Sequence, residues 1–222
     1  MSTYVLMRIL ESAPDRYDKG INILSFGKLE QVYNRLVTHI KKDQKVLDIG
    51  CGTGALTLKA AAKGAVVKGI DVNPQMLEIA RKRADEMNLS QNIELCEMGV
   101  AELENIESLS FDVIMSGLCF SELSEDEQTF TLKQINRILK AGGFLLVADE
   151  TEPEIVLLML LESLFRIPLK AITWLLTQTT SHAVRNLPEK VKKAGLTIDS
   201  VKLNHMKNFI ELMAIKKDNM PE

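Results

Sequence analysis

The chain has 222 residues and a formal net charge of −3 at pH 7, with 27 basic side chains interspersed among 30 acidic ones. That length favours one domain with a sizeable core, and the mixed charge argues against a nucleic-acid groove. Cys51, Cys96 and Cys119 form no CxxC pair and have no histidine at ligand spacing, so we expect no metal site and no disulfide framework. The N-terminus lacks the order of a signal peptide, and the cysteine usage fits a reducing compartment, which together predict a cytoplasmic protein.

Short apolar strands alternate with helical patterns from Lys45 onward, after helices predicted at residues 4–10 and 28–40. The strands are predicted at residues 45–49, 66–71, 93–98, 111–116 and 143–149. Helices are predicted at residues 55–63, 74–87, 125–139 and 188–194, with Asn73 capping the second of them. Two further alternating segments, LTIDSVKL and NFIELMAIKK, predict a terminal antiparallel hairpin. The pattern predicts an α/β fold with a doubly wound, Rossmann-like sheet of seven mostly parallel strands.

A strongly apolar segment, residues 154–178, interrupts this rhythm after the fifth strand. Glu162, Arg166 and Lys170 recur every four residues and Pro168 breaks the run, which favours amphipathic helices over an integral membrane span. We predict a helical insertion over residues 152–182 within a single domain of residues 1–222, whose first 40 residues form a helical cap. The sequence leaves open whether the insertion closes over a ligand, pairs two chains as a homodimer or lies on a membrane.

The stretch VLDIGCGTGALTL ends the first strand and places Gly50, Gly52 and Gly54 in five positions. Glycine lets the main chain approach a ligand, and ligands of doubly wound sheets bind at the carboxyl ends of the strands. The loop matches the loose dinucleotide pattern GxGxxG/A, which is a weak signal alone. Asp48 precedes the first glycine by two residues and suits a cationic group, whereas a pyrophosphate needs positive potential. Asp71 ends the second strand and can accept both hydroxyls of a ribose, which indicates a nucleoside.

These residues, from VLDIGCGTG and GIDVNPQMLEIARKRA to the terminal hairpin, resemble the class I S-adenosylmethionine-dependent methyltransferases. The resemblance extends from about Lys45 to the end of the chain and implies S-adenosylmethionine as cofactor and S-adenosylhomocysteine as product. In the family, the glycine loop holds the methionine part and adjoining nucleoside, the acid after strand two binds the ribose, and the next residues flank the adenine. The positions that match are Asp48, Gly50, Cys51, Gly52, Asp71, Val72 and Met76. Val72 and Met76 could equally be core residues, and Cys51 could be a packing residue.

The sequence departs from the family after the third strand. The family commonly has Gly-Asp-Ala there, and its Asp accepts a hydrogen bond from the adenine amino group, but this chain has Gly99, Val100 and Ala101. Recognition of adenine must then use backbone groups around Val100 and Ala101 or another acceptor. Ser116, at the end of strand four, lies next to the sulfonium in this fold. In ubiquinone/menaquinone C-methyltransferases a Tyr-Asp pair folds over the cofactor, which makes Tyr17 a candidate ligand.

No catalytic base can be assigned, although Glu122, Asp149 and His182 are candidates. A sulfonium is already a good leaving group, so the protein needs to align the reactants and exclude water. The chain is also similar to a corrinoid protein-associated methyltransferase family, which implies a corrinoid protein as partner. An apolar small molecule of the quinone type is the alternative acceptor. Two other functions stay open, a nicotinamide-dependent oxidoreductase and a non-catalytic S-adenosylmethionine-binding module.

Overall fold

The computed structural model describes residues 28–151, 183–205 and 207–217. The helix predicted at residues 4–10, Tyr17 and the insertion predicted at residues 152–182 lie outside this part of the chain. No helix of the described residues is both long enough and apolar enough to cross a membrane.

Helices and strands alternate through the described residues as the sequence predicts. The strands are β1 (Lys45–Ile49), β2 (Val66–Asp71), β3 (Ile93–Glu97), β4 (Phe111–Gly117), β5 (Leu139–Glu150), β6 (Thr197–Leu203) and β7 (Phe209–Ile215). The α-helices are α1 (Lys28–Leu36), α2 (Ala55–Ala62), α3 (Pro74–Glu86), α4 (Glu125–Ile138) and α5 (Leu187–Lys193). The helix predicted at residues 28–40 is shorter, because a 3-10 turn at Val37–His39 follows α1.

The seven strands form one sheet in the order β3-β2-β1-β4-β5-β7-β6. Strands β1 to β5 pair in parallel, whereas β7 is antiparallel to both β5 and β6. The predicted α/β sheet with its terminal hairpin is confirmed. The strand order reverses between β1 and β4, and this is the switch point at which such sheets bind ligands.

Alternate residues of the central strands face opposite sides of the sheet, and helices cover both sides. Leu47 and Ile49 of β1 pack in the core cluster that includes Leu132 of α4. Val46 packs on the other side, in the cluster that includes Val32 of α1. Because both faces are buried, the residues of β1 after Lys45 are apolar except for one buried carboxylate, Asp48.

Strand β5 begins at Leu139, four residues before the predicted start. The strand starts earlier because Leu139 already pairs with Phe111, and residues 140–143 stand opposite Asp112 alone before Phe144 pairs with Val113. Gly142, with φ of 70°, allows the chain to bulge there. The sequence pattern placed the start of the strand at residue 143 because it did not reveal the paired residue before the bulge.

Candidate functional site

A cavity of about 440 Å³ opens at the carboxyl ends of β1, β2 and β4, at the switch point of the sheet. Loops after four strands contribute its walls, as expected for a ligand site of a doubly wound sheet. Its lining residues are Ile49, Gly50, Gly52, Ile70, Asp71, Val72, Asn73, Met76, Met98, Gly99, Val100, Ala101, Gly117, Leu118, Cys119, Glu122, Leu123 and Glu127. Seven of the eleven predicted ligand residues are among them: Gly50, Gly52, Asp71, Val72, Met76, Val100 and Ala101.

The Asp71 carboxylate ties the glycine loop to the start of α3. Its Oδ2 accepts a hydrogen bond from the Gly52 N–H at 2.8 Å, and its Oδ1 accepts one from the Asn73 N–H at 2.8 Å. Burial raises the pKa of Asp71, and the backbone N–H groups oppose that rise. Each carboxylate oxygen can accept more than one hydrogen bond, so both can still accept from a ligand in the cavity.

The cap of α3 follows directly from its sequence. Asn73 Oδ1 accepts hydrogen bonds from the N–H groups of Gln75 and Met76 at 3.0 and 3.3 Å, and Pro74 occupies the first helical position. The predicted Asn cap is confirmed. Because the amide oxygen of Asn73 is already engaged, the cap fixes the first turn of α3, from which Met76 faces the cavity.

Gly50 and Gly52 both have positive φ angles, but the space beside them differs. A Cβ on Gly50, where φ is 69°, would lie 2.6 Å from both Cβ and Sγ of Cys119. A Cβ on Gly52, where φ is 52°, would meet no atom within 4 Å. Gly50 therefore permits close packing of β1 against the loop after β4, whereas Gly52 leaves room for a ligand beside the main chain.

Asp48 and Cys51 lie beneath the loop and not at the cavity surface. The Asp48 carboxylate is 1% exposed, and its Oδ2 accepts a 2.6 Å hydrogen bond from the Thr57 hydroxyl of α2. No described residue donates to its Oδ1. Burial raises the pKa of Asp48 to about 7. Asp48 therefore does not line the cavity, but its Oδ1 is a buried acceptor oxygen that a water molecule or a ligand donor could satisfy. Buried Cys51 packs against Gly69.

Ser116 is buried and does not line the cavity, unlike its predicted position beside the ligand. Its hydroxyl donates to the Ile49 carbonyl at 3.0 Å and so ties β4 to β1. The next residues form the wall instead, because Gly117 ends the strand and Leu118 turns away with φ of 59°. Sequence reasoning missed Leu118 and Cys119, since no local pattern indicates a left-handed leucine.

One wall of the cavity is apolar. Val72 is 70% exposed, so its alternative interpretation as a core residue is wrong, and its Cγ1 lies 3.4 Å from the position of a Cβ on Gly99. Met76 is 3% exposed and belongs to both the interior and the cavity wall. Met98 and Val100 pack against the core beneath them. The wall offers flat apolar contacts of the kind that a heterocyclic base makes.

The charged lining of the cavity is acidic. Asp71, Glu122 and Glu127 contribute carboxyl groups, and none of the described lining residues is Lys, Arg or His. Glu127 also completes the capping box of α4. Its Oε2 accepts hydrogen bonds from the N–H group of Ser124 at 2.8 Å and from the hydroxyl of Ser124 at 2.7 Å. These hydrogen bonds lower the pKa of Glu127. A cation fits this lining better than an anion.

Buried polar groups outside the cavity hold the loop after β4. Asp149 is fully buried, and its carboxylate accepts from the Ser121 N–H at 3.3 Å and the Glu150 N–H at 2.7 Å. Gln128 Nε2 donates to the carbonyls of Phe120 and Leu123 at 2.9 and 3.0 Å. Burial raises the pKa of Asp149 to about 6. Asp149 does not line the cavity, so these contacts support a structural role over that of a base. His182 lies outside the described residues.

We expect the free energy of unfolding to fall less with rising pH in Asp48→Asn than in the unaltered chain. The folded-state pKa of Asp48 is about 7 and the ordinary value is 3.8, so the folded protein holds the proton more tightly between these values. The contribution of protonated Asp48 to the free energy of unfolding is complete below about pH 4. That contribution is lost as pH rises to about 7, which lowers the free energy of unfolding by up to roughly 4 kcal/mol. Urea unfolding between pH 5 and pH 8 measures the slope of the free energy of unfolding against pH. Part of that slope should remain in Asp48→Asn, because burial also raises the pKa of Asp149. Exposed Glu104→Gln is the control, and an unchanged slope in Asp48→Asn would contradict the prediction.

Comparison with known proteins agrees with this geometry. Residues 46–143 match the family described as Methyltransferase domain. Demethylmenaquinone methyltransferase from Staphylococcus aureus is 30% identical over 151 residues, which are 66% of this chain and 60% of that protein. The chain thus spans about three fifths of the length of the curated relatives it matches.

Two solved structures show the same fold. Magnesium protoporphyrin IX methyltransferase from Synechocystis PCC 6803 with bound S-adenosylhomocysteine has a TM-score of 0.64 at 18% identity, covering 86% of this chain and 82% of that one. The cyclase SpnF has a TM-score of 0.66 at 19% identity, covering 90% of this chain and 83% of that one. At these identities the likeness concerns the fold.

The fold and the matched residues define a class I S-adenosylmethionine-dependent methyltransferase domain. This chain carries that domain at residues 46–143. The match and the shared fold support the predicted class of protein for these residues. The named relatives include demethylmenaquinone methyltransferases.

Proposed function

We propose that the protein transfers the methyl group of S-adenosylmethionine to an apolar small molecule. The observation that carries the proposal is the acidic cavity at the switch point, with Asp71 anchored between the glycine loop and α3. When bound, the cofactor supplies a methyl group on a positively charged sulfur, which is a good leaving group. The described residues then bind and orient the two reactants and exclude water.

The charge of the lining favours this cofactor over a nicotinamide dinucleotide. S-Adenosylmethionine carries a cationic sulfonium and an ammonium group, and Asp71, Glu122 and Glu127 surround the cavity with negative charge. A pyrophosphate would carry two negative charges into the same lining, where no described side chain is basic. Like charges in a partly buried site repel strongly, so the oxidoreductase alternative is disfavoured.

For Asp48, Cys51 and Ser116 the proposed roles differ from those that the sequence predicts. Asp71 binds the ribose hydroxyls, Gly52 leaves room for the methionine part, and the apolar wall flanks the base. Asp48 and Cys51 support the loop from below, and Ser116 holds β4 in register with Ile49. Tyr17 stays a candidate ligand of the cofactor.

The acceptor is proposed from the relatives and from the cavity. A quinone-type ring suits the apolar side chains of Leu118 and Leu123, and curated relatives are named for demethylmenaquinone. A corrinoid protein is the second candidate, suggested by the sequence resemblance.

We further propose a single domain over residues 1–222, with a cap at residues 1–40 and a lid at residues 152–182. We propose that this domain works in the cytoplasm as a monomer or homodimer.

Calorimetric titration with S-adenosylmethionine, S-adenosylhomocysteine and NAD tests the cofactor. We expect micromolar binding of both sulfur compounds and none of NAD. Failure of both sulfur compounds to bind would refute the proposal, and binding of NAD alone would favour the oxidoreductase.

Transfer of a labelled methyl group tests the reaction itself. The acceptors to compare are a demethylated quinol and a reduced corrinoid, each with S-adenosylmethionine in excess. Label in the quinol supports the proposal, and label in the corrinoid supports the second candidate. Tight cofactor binding with no transfer to any acceptor would favour a non-catalytic binding module.

A further inference from the structure

We infer that the cavity binds the purine by its faces and does not read the 6-amino group, which makes Val100 a determinant of relaxed base specificity. This inference rests on the proposed function and concerns the base end of the same site. It predicts that a cofactor analogue without the amino group binds nearly as well as the natural compound.

The faces of a base have apolar partners on this wall. Val72 is 70% exposed at the rim, and its Cγ1 stands opposite Gly99. Met76, Met98 and Val100 line the cavity beside it. None of these side chains is a strong hydrogen-bond acceptor, so contacts with them depend on the apolar area covered and not on the base edge.

The side-chain acceptors close to Val100 along the chain and at the start of α3 have partners within the protein. Glu102 follows Val100 by two residues, but its Oε1 accepts from the Gly99 N–H at 3.0 Å, and Glu102 does not line the cavity. Asn73 Oδ1 accepts from two N–H groups of α3. The Asp71 oxygens accept from the Gly52 and Asn73 N–H groups, and their remaining capacity is assigned to the ribose hydroxyls. Each of these oxygens is oriented by its partner in the protein.

Two backbone carbonyls on this side of the cavity also accept hydrogen bonds within the protein. The Gly99 carbonyl accepts from the Glu102 N–H at 3.1 Å, and the Asp71 carbonyl accepts from the Met98 N–H at 3.0 Å. The N–H groups of Val100 and Ala101 are donors, so they can meet a ring nitrogen but not an amino group. A ring nitrogen is present with or without the 6-amino group, and the base edge therefore gives little discrimination at this position.

The test compares S-adenosylhomocysteine with its 6-deamino analogue, in which purine riboside replaces adenosine. Both retain the ribose, the amino acid and the ring nitrogens. We expect calorimetric dissociation constants within about fivefold of each other in the unaltered chain. A larger preference for S-adenosylhomocysteine overturns the inference and leaves the proposed function standing. If neither compound binds, both fail together.

Val100→Asp supplies the missing acceptor. A carboxylate that accepts from the amino group should raise the preference for S-adenosylhomocysteine to about tenfold or more, with Val100→Leu as the apolar control. If Val100→Asp binds both compounds alike, residue 100 does not face the amino group and the assignment fails. Ala101 is exposed and lines the same wall, so Ala101→Asp provides the comparison should Val100→Asp not fold.

Discussion

Asp71→Ala is expected to weaken binding of S-adenosylmethionine and S-adenosylhomocysteine about 100-fold or more. The variant removes the carboxylate that we place on the ribose hydroxyls. Each hydrogen bond to a charged group contributes about 1.5–3 kcal/mol, and two of them account for at least two orders of magnitude in the dissociation constant. It also releases the Gly52 N–H, which the Asp71 carboxylate holds at 2.8 Å, so the glycine loop loses its orientation.

Calorimetry with S-adenosylhomocysteine measures the effect, and Glu97→Ala is the matched control. Glu97 ends β3 directly beside Asp71 in the register of the sheet, but it is exposed and does not line the cavity. The control removes a carboxylate from the neighbouring strand end and should bind normally. Thermal unfolding of both variants separates loss of binding from loss of fold.

Asp71→Asn distinguishes the two roles of the side chain. An amide oxygen can still accept from one backbone N–H, so the loop should keep part of its orientation, but the negative charge is lost. We expect affinity between that of the unaltered chain and that of Asp71→Ala. Equal affinity in all three proteins would show that Asp71 does not contact the ligand, and the proposed site would then be wrong.

The sequence was sufficient for the fold because local and long-range signals agree. Strand β1 is apolar on both faces and ends at glycines, and Pro74 with Asn73 marks the start of α3, so these boundaries were predictable. Gly50, Gly52 and Asp71 were predictable as site residues for the same reason. Glycine spacing after a buried strand and an acid at the next strand end both place side chains at one edge of the sheet.

Residues that reach the cavity through long-range contacts were not predictable. Cys119 meets Gly50 only because β4 pairs with β1, and the two residues are far apart in sequence. Leu118 enters the wall through a left-handed backbone that leucine rarely adopts. Asp48 and Ser116 precede the ends of their strands, and their hydrogen bonds to Thr57 and to Ile49 draw both side chains inward. Proximity in sequence to the loop did not imply exposure to the cavity.

Gly50→Ala is expected mainly to lower stability, and Gly52→Ala mainly to lower affinity for the ligand. Both place alanine at a positive φ, which costs about 1–2 kcal/mol in each case. At Gly50 the new Cβ would also lie 2.6 Å from Cβ and Sγ of Cys119, and relieving that overlap requires a shift of β1 against the loop. Overpacking of this kind costs roughly 1–3 kcal/mol more, so Gly50→Ala should lower the free energy of unfolding by about 2–5 kcal/mol.

At Gly52 the new Cβ meets nothing within 4 Å, so we expect only the backbone cost of about 1–2 kcal/mol. The methyl group would occupy space that the cavity offers to the ligand, and affinity for S-adenosylhomocysteine should fall at least about tenfold. Urea unfolding and calorimetry on both variants give the two quantities. A Gly52→Ala variant that binds normally would place the ligand away from the loop.

The double variant Gly50→Ala/Cys119→Gly isolates the steric part of the Gly50 effect. Removing the Cys119 side chain eliminates both atoms that the new Cβ would approach at 2.6 Å. The effect of Gly50→Ala on the free energy of unfolding is measured twice, once in the unaltered chain and once in the Cys119→Gly background. If the overlap is the cause, the loss in the Cys119→Gly background should be about half of the loss in the unaltered chain. If the two changes are additive instead, the loss comes from the positive φ alone, and Gly50 serves the backbone turn without determining the packing of β1 against the loop after β4.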